Sequence, residues 1–102
     1  MDIQTLTKKM NDFVRSKGWY EPGSPKAQTP RNLAISLSLE TSEVLELFQW
    51  TDTCNNLVEL ESELADVSLY LLQLADVTGI DLEAAIEKKL NKNARREWKT
   101  QV

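Results

Sequence analysis

The chain has 102 residues and a mass of 11.6 kDa, which suits one domain and leaves too little length for a second core. Its 41% apolar and 27% charged residues exclude disordered and fibrous classes, and its net charge of −4 argues against nucleic-acid binding. It has no histidine and one cysteine, Cys54, which excludes disulfide frameworks, His-based or multi-Cys zinc sites, and Ser-His or Cys-His nucleophile pairs.

Hydrophobic periodicity and capping residues predict an all-α fold with four helices. Gly18 and Gly79 are natural helix stops, and Thr29-Pro30 and Asp81 are natural helix starts. The predicted helices span about residues 3–17, 30–50, 56–77 and 81–97, with a loop over residues 19–30 and a frayed tail at residues 98–102. We expect residues 1–102 to form a single domain.

The second and third predicted helices are apolar over most of their circumference. Such helices need burial on more than one face, which a monomer of this length provides poorly. We therefore expect a four-helix bundle that is completed by association of the chain with itself.

The charges are segregated along the chain. Between Asn32 and Glu87 there is no lysine or arginine, while the same segment holds twelve acids. A solvated acidic face is the ordinary interpretation of such an excess. A basic flank that folds back, or a divalent cation, would also neutralise it.

Four of these acids lie within apolar helical stripes. Glu40 and Glu43 are one turn apart on the second helix, and Glu63 and Asp66 are one turn apart on the third. Burying carboxylates without cations is costly, and oxygen ligands suit Mg²⁺ or Mn²⁺ better than zinc or iron. For any one of these acids alone, an edge position with the head group in water is the commoner fate. Two pairs at identical spacing favour a metal site.

These strings resemble a known family. Glu40-Thr41-Ser42-Glu43 and Glu63-Leu64-Ala65-Asp66 form the ExxE…ExxD pattern of the MazG-like, all-α nucleoside triphosphate pyrophosphohydrolases. Three further strings are similar to the branch that includes dCTP pyrophosphatase: Pro30-Arg31-Asn32-Leu33, residues 43–50, and Lys89-Leu90-Asn91-Lys92-Asn93. The similarity as a whole extends over roughly residues 3–96.

The resemblance implies an enzyme, a Mg²⁺-dependent hydrolase that converts a (d)NTP to the monophosphate and pyrophosphate in nucleotide-pool clean-up. It implies a metal site, with Mn²⁺ as a possible substitute, in which Glu40 or Glu43 also accepts the proton of the attacking water. It implies a homodimer or homotetramer. The metal ligands would be Glu40, Glu43, Glu63 and Asp66, and the substrate-binding residues Trp19, Trp50, Tyr70, Lys89 and Asn93.

Departures from the branch leave base preference, substrate size and selectivity open. Met10 aligns with a histidine that contacts substrate in the vertebrate dCTP enzymes, which bears on base preference. The loop over residues 19–30 is longer and the connector after Trp50 is shorter, which bears on substrate size and selectivity. Core packing is a common alternative role for the aromatic residues. Two other functions stay open: a non-enzymatic helical adaptor module, and a phosphoribosyl-ATP pyrophosphatase-like enzyme.

No apolar run reaches the ~20 residues of a membrane span, and no signal peptide is visible. We therefore expect a cytoplasmic protein that binds neither membrane nor nucleic acid.

Overall fold

The computed structural model describes residues 1–96, so Trp98 and the tail predicted at residues 98–102 lie outside the described residues. Within the described range every regular element is a helix, which confirms the all-α prediction. The four helices are α1 (Ile3–Ser16), α2 (Pro30–Glu46), α3 (Leu57–Val77) and α4 (Leu82–Arg95).

The helix starts are fixed by local capping. The Thr29 hydroxyl accepts from the backbone N–H of Asn32 at 3.1 Å, and Pro30 occupies the first turn of α2. Asp81 accepts from the Ala84 N–H at 3.1 Å at the start of α4. These starts confirm the sequence prediction.

The end of α2 differs from the prediction, because the regular helix stops at Glu46 and does not reach Trp50. The N–H groups of Leu47, Phe48 and Gln49 bond to carbonyls three residues back, at 3.2, 2.9 and 3.3 Å. Such bonds tighten the chain into successive turns after the last α-helical residue.

α2 and α3 form the principal helix pair, and α1 packs on α3. The pair is antiparallel, because Glu43 lies close to Glu63 while Leu33 lines the same cavity as Gln73. Leu33, only 2% exposed, is buried together with Met10 and Val14 of α1. α4 packs more lightly, and it does so against α3.

The fold is open for its length. The Cα radius of gyration is 16.5 Å, and the principal extents are 50 × 36 × 27 Å. Large apolar side chains remain exposed on all four helices, among them Phe13, Leu39, Leu64 and Leu90. Completion of the bundle by self-association stays a prediction. None of the described helices combines the length and the apolar character needed to span a membrane.

Candidate metal centre and adjoining cavity

Three of the four predicted ligands converge between α2 and α3. Glu40, Glu43 and Glu63 each place a carboxylate oxygen within 4.8 Å of the others. Glu40 and Glu43 approach from one helix because they are a turn apart, and Glu63 meets them because the two helices are antiparallel. Glu40 and Glu63 are half-buried, and Glu43 is exposed at the rim.

Asp66, the fourth predicted ligand, lies one turn beyond Glu63 on α3. It is half-buried and lines a cavity beside the three glutamates, outside the group that lies within 4.8 Å. Its charge nevertheless contributes to raising the pKa of Glu40, so the two carboxylates share one electrostatic environment.

The pKa shifts in the cluster are those expected of carboxylates that lie close together. Burial first, and then contact with Glu43, raises the pKa of Glu40. Contact with Glu43, followed by burial, raises the pKa of Glu63 to about 7. Two ion pairs among the described residues lie on α1 and do not involve this cluster: Lys8–Asp12 and Arg15–Asp12.

The donor set fits a hard divalent cation. Glu40 Oε2 and Glu63 Oε2 are inaccessible to solvent and accept no hydrogen bond from the described part of the chain. Buried oxygens normally have partners, so these two atoms are available as ligands for a cation. All the candidate donors are carboxylate oxygens, the ligands that Mg²⁺ and Mn²⁺ prefer.

A cavity of about 790 Å³ adjoins the cluster and is bounded by α1, the loop after it, α2 and α3. Asp66 stands in its wall on the side of the glutamates. Trp19 and Tyr70, two of the predicted substrate-binding residues, also line it, together with apolar side chains of α1. Its size and mixed lining are typical of small-molecule sites.

The aromatic wall is held by contacts that involve the loop. The rings of Trp19 and Phe13 meet edge to face, with centroids 5.8 Å apart. The Lys26 ammonium lies 5.0 Å from the centroid of the Trp19 ring, a cation–π contact. Both Trp19 and Lys26 line the cavity, so the loop supplies an aromatic surface and a positive charge.

A chain of polar side chains joins the loop to α1 and α3. The Asn11 amide donates to Asp76 at 2.8 Å, and Tyr20 donates its hydroxyl hydrogen to Asn11 at 2.5 Å. Gln73, which is 3% exposed, donates to the Tyr20 oxygen at 3.2 Å and to Gln28 at 2.7 Å. Because these bonds cross three elements, they fix the loop against the helices.

Three predicted substrate residues do not line this cavity. Trp50 lies beyond the end of α2 and is 87% exposed. Lys89 and Asn93 lie on α4, where Lys89 is exposed and Asn93 is half-buried. Their roles in substrate binding stay predictions.

Several polar cavity residues were missed from the sequence, among them Lys9, Lys26, Gln28 and Gln73. Gln73 follows Asp66 by seven residues, so helical periodicity alone would have placed it on the same face of α3. No comparable signal existed for Lys26 and Gln28, because their positions depend on how the loop folds back.

Known proteins resemble the chain over nearly all of its length. The family model described as the MazG-like family matches residues 35–101. dCTP pyrophosphatase 1 of Homo sapiens is 40% identical over 103 residues, and that of Mus musculus is 38% identical over the same length. Each match covers 92% of this chain and 58% of the relative, so the chain spans little more than half the length of these relatives.

Among solved structures, a pyrophosphatase from Archaeoglobus fulgidus DSM 4304 is similar with a TM-score of 0.75 and 38% identity. The match covers 94% of this chain and 92% of that one. With the all-helical fold, these matches identify the class as all-α proteins of the MazG-like type. The chain belongs to the MazG-like family. The predicted similarity to the dCTP pyrophosphatase branch is confirmed.

Proposed function

We propose that the protein is a Mg²⁺-dependent nucleoside triphosphate pyrophosphohydrolase that converts a (d)NTP to the monophosphate and pyrophosphate. The observation that carries the proposal is the convergence of Glu40, Glu43 and Glu63 beside an aromatic-lined cavity. The names of the relatives, dCTP pyrophosphatase 1 and a pyrophosphatase, support the same reaction.

Glu40, Glu43, Glu63 and Asp66 would hold Mg²⁺, with Mn²⁺ as a substitute. When bound, the ion neutralises negative charge on the triphosphate oxygens. Glu40 or Glu43 would accept the proton of the attacking water.

The cavity residues bind and orient the nucleotide. Trp19 and Tyr70 offer aromatic surfaces to a base, as aromatic rings do for bases of any identity. Lys9 and Lys26 line the same cavity and supply positive charge for phosphate oxygens. We also propose that three residues outside this cavity contact the substrate: Trp50, Lys89 and Asn93.

We further propose that the protein acts on the cytoplasmic nucleotide pool as a homodimer or homotetramer. The free thiol of Cys54 suits a reducing compartment. The apolar residues left exposed on every helix favour self-association.

A nucleotide panel with Mg²⁺, scored separately for pyrophosphate and orthophosphate, tests the reaction. We expect pyrophosphate to be the released product. Glu40→Gln should lower turnover about 100-fold or more, the scale of losing one group that stabilises charge in the transition state. Glu46→Gln, at the exposed C-terminal end of α2, is the matched control and should leave turnover unchanged.

Release of orthophosphate, or full activity in Glu40→Gln, would contradict the proposal. If the protein hydrolysed phosphoribosyl-ATP and none of the nucleoside triphosphates, the result would favour the alternative of a phosphoribosyl-ATP pyrophosphatase-like enzyme. The adaptor interpretation predicts no stoichiometric Mg²⁺ site in a calorimetric titration, and a saturable heat that is absent from Glu40→Gln would exclude it.

A further inference from the structure

Both ends of the polar chain between α1, the loop and α3 are groups that only accept hydrogen bonds. At one end the Asp76 carboxylate accepts from Asn11 Nδ2 at 2.8 Å. At the other end the backbone carbonyl of Lys26 accepts from Gln28 Nε2 at 2.5 Å. Because a carboxylate and a carbonyl cannot donate, they dictate which atom of each amide points towards them.

The donor–acceptor direction that is fixed at each end of the polar chain determines how the Gln73 amide is oriented. With Nδ2 turned to Asp76, Asn11 presents Oδ1 to Tyr20, whose hydroxyl donates to it. The Tyr20 oxygen then accepts from Gln73 Nε2 at 3.2 Å. From the other end, Gln28 Oε1 accepts from the same Gln73 nitrogen at 2.7 Å.

The two ends therefore agree on one orientation of the Gln73 amide. Its amino group has two hydrogens, and both have partners. Burial also raises the pKa of Tyr20, which keeps the hydroxyl protonated and able to donate to Asn11. Reversing the Gln73 amide would place its oxygen against two acceptor atoms.

The atom of Gln73 left for a ligand is Oε1, an acceptor. Gln73 lines the 790 Å³ cavity and is 3% exposed to solvent, so a ligand that fills the cavity must satisfy this group or leave it unpaired. Gln73 follows Asp66 by two helical turns, about 10 Å along α3. A nucleotide with its phosphates at the acidic cluster would extend its base towards Gln73.

We propose that Gln73 Oε1 is a specificity-determining acceptor that selects nucleobases carrying an amino group, favouring cytosine over uracil. Cytosine presents a 4-amino donor where uracil presents a 4-carbonyl acceptor. Cytosine would satisfy the Gln73 oxygen, while uracil would place two acceptors face to face. The inference rests on the proposed function for the placement of the nucleotide.

Calorimetric binding of dCMP and dUMP tests the inference without any phosphoryl transfer. We expect the wild-type protein to bind dCMP about tenfold more tightly than dUMP, the scale of one hydrogen bond gained and one repulsion avoided. Gln73→Met, nearly the same in shape, should bring the ratio close to one, chiefly by weakening dCMP. Gln49→Met, at an exposed glutamine outside the cavity, is the matched control and should keep the wild-type ratio.

Asp76→Asn gives a second variant, at the exposed end of the polar chain. The introduced amide can donate as well as accept, so it would no longer fix the donor–acceptor direction of the polar chain. The ratio of dCMP to dUMP affinity should therefore fall to a value between those of the wild type and Gln73→Met. Circular dichroism checks the helix content of each variant. If Gln73→Met does not fold, the Asp76→Asn ratio decides.

Equal affinities in the wild type, binding of neither monophosphate, or a wild-type ratio in the deciding variant would overturn the inference. Pyrophosphate release from dCTP and dUTP, measured on the same proteins, separates it from the proposed function. Hydrolysis with no preference between the two bases would leave the proposed function standing. Base discrimination with no hydrolysis would instead overturn the proposed function.

Discussion

Glu40 and Glu63 each hold one carboxylate oxygen away from solvent and from every hydrogen-bond donor in residues 1–96. Leaving a buried acceptor unpaired costs roughly 1–3 kcal/mol, and the cost is larger for a charge. Two buried, unpaired carboxylate oxygens side by side therefore lower the stability of the metal-free fold. This arrangement is what a cation-binding site requires before the ion arrives.

The pH dependence of stability follows from Glu63, whose pKa is raised from an ordinary 4.5 to about 7. The folded state holds this proton more tightly than the unfolded state does, so between these values the folded protein binds more protons. The stability contributed by the protonated group is therefore fully present below pH 4.5 and is lost as the pH rises through about 7. In urea, the metal-free protein should have a lower unfolding midpoint at pH 8 than at pH 5.5.

Two controls isolate the cluster as the cause. Glu63→Gln removes the titrating group and should flatten the difference between the two pH values. Saturating Mg²⁺ should raise the midpoint more at pH 8, where the carboxylates are ionised, than at pH 5.5. A metal-free midpoint that rises between pH 5.5 and 8 would contradict the assignment.

Single residues also show where sequence reasoning succeeded and where it stopped. The approach of Glu40 to Glu43 was predictable because i, i+3 spacing is a property of the helix itself. The approach of Glu63 depends in addition on the antiparallel packing of α2 and α3. The orientation of the Gln73 amide was not predictable. It depends on Asn11 of α1 and on Tyr20 of the loop, which reach it only through tertiary packing.

At the scale of the helices, the starts were predictable and one end was not. Asp81 and Thr29 bond to backbone N–H groups three residues on, a purely local arrangement. After Glu46 the apolar pattern continues, yet the backbone adopts bonds to the third residue back. The residue pattern indicates which face of a helix is apolar. It is less informative about the residue at which the backbone hydrogen bonds change from the fourth to the third residue back.

The glycine that follows the end of α3 allows a test at the scale of the helices. Gly79 has a φ of 75°, and an added Cβ would meet nothing within 4 Å, so its substitution is limited by backbone conformation alone. Gly79→Ala should lower the free energy of unfolding by about 1 kcal/mol.

Urea denaturation measures this loss, and Gly79→Asn is the matched control. Asparagine tolerates the left-handed region better than alanine does, so its loss should be smaller. Equal losses for the two variants would show that the backbone conformation is not the cause.

At the scale of the molecule, the single chain leaves its bundle incomplete. Its radius of gyration is 16.5 Å, whereas a compact domain of this length has about 13 Å. On α3, Leu57, Leu64 and Leu71 recur every seven residues along one stripe and are 69%, 49% and 41% exposed. This spacing is typical of a helix face that packs against another helix.

Leu64, at the middle of that stripe, provides the test of self-association. Leu64→Glu places a charge where an apolar contact would be buried, so the oligomer should dissociate towards the monomer in sedimentation equilibrium. Ser62→Glu adds the same charge at an exposed position of α3, about 200° away around the helix, and should leave the assembly intact.

A wild-type protein that sediments as a monomer, or a Leu64→Glu variant that keeps the wild-type mass, would contradict the use of this stripe as an interface. Because the site lies between α2 and α3 of one chain, Mg²⁺ binding should persist in the dissociated variant, which separates assembly from metal binding.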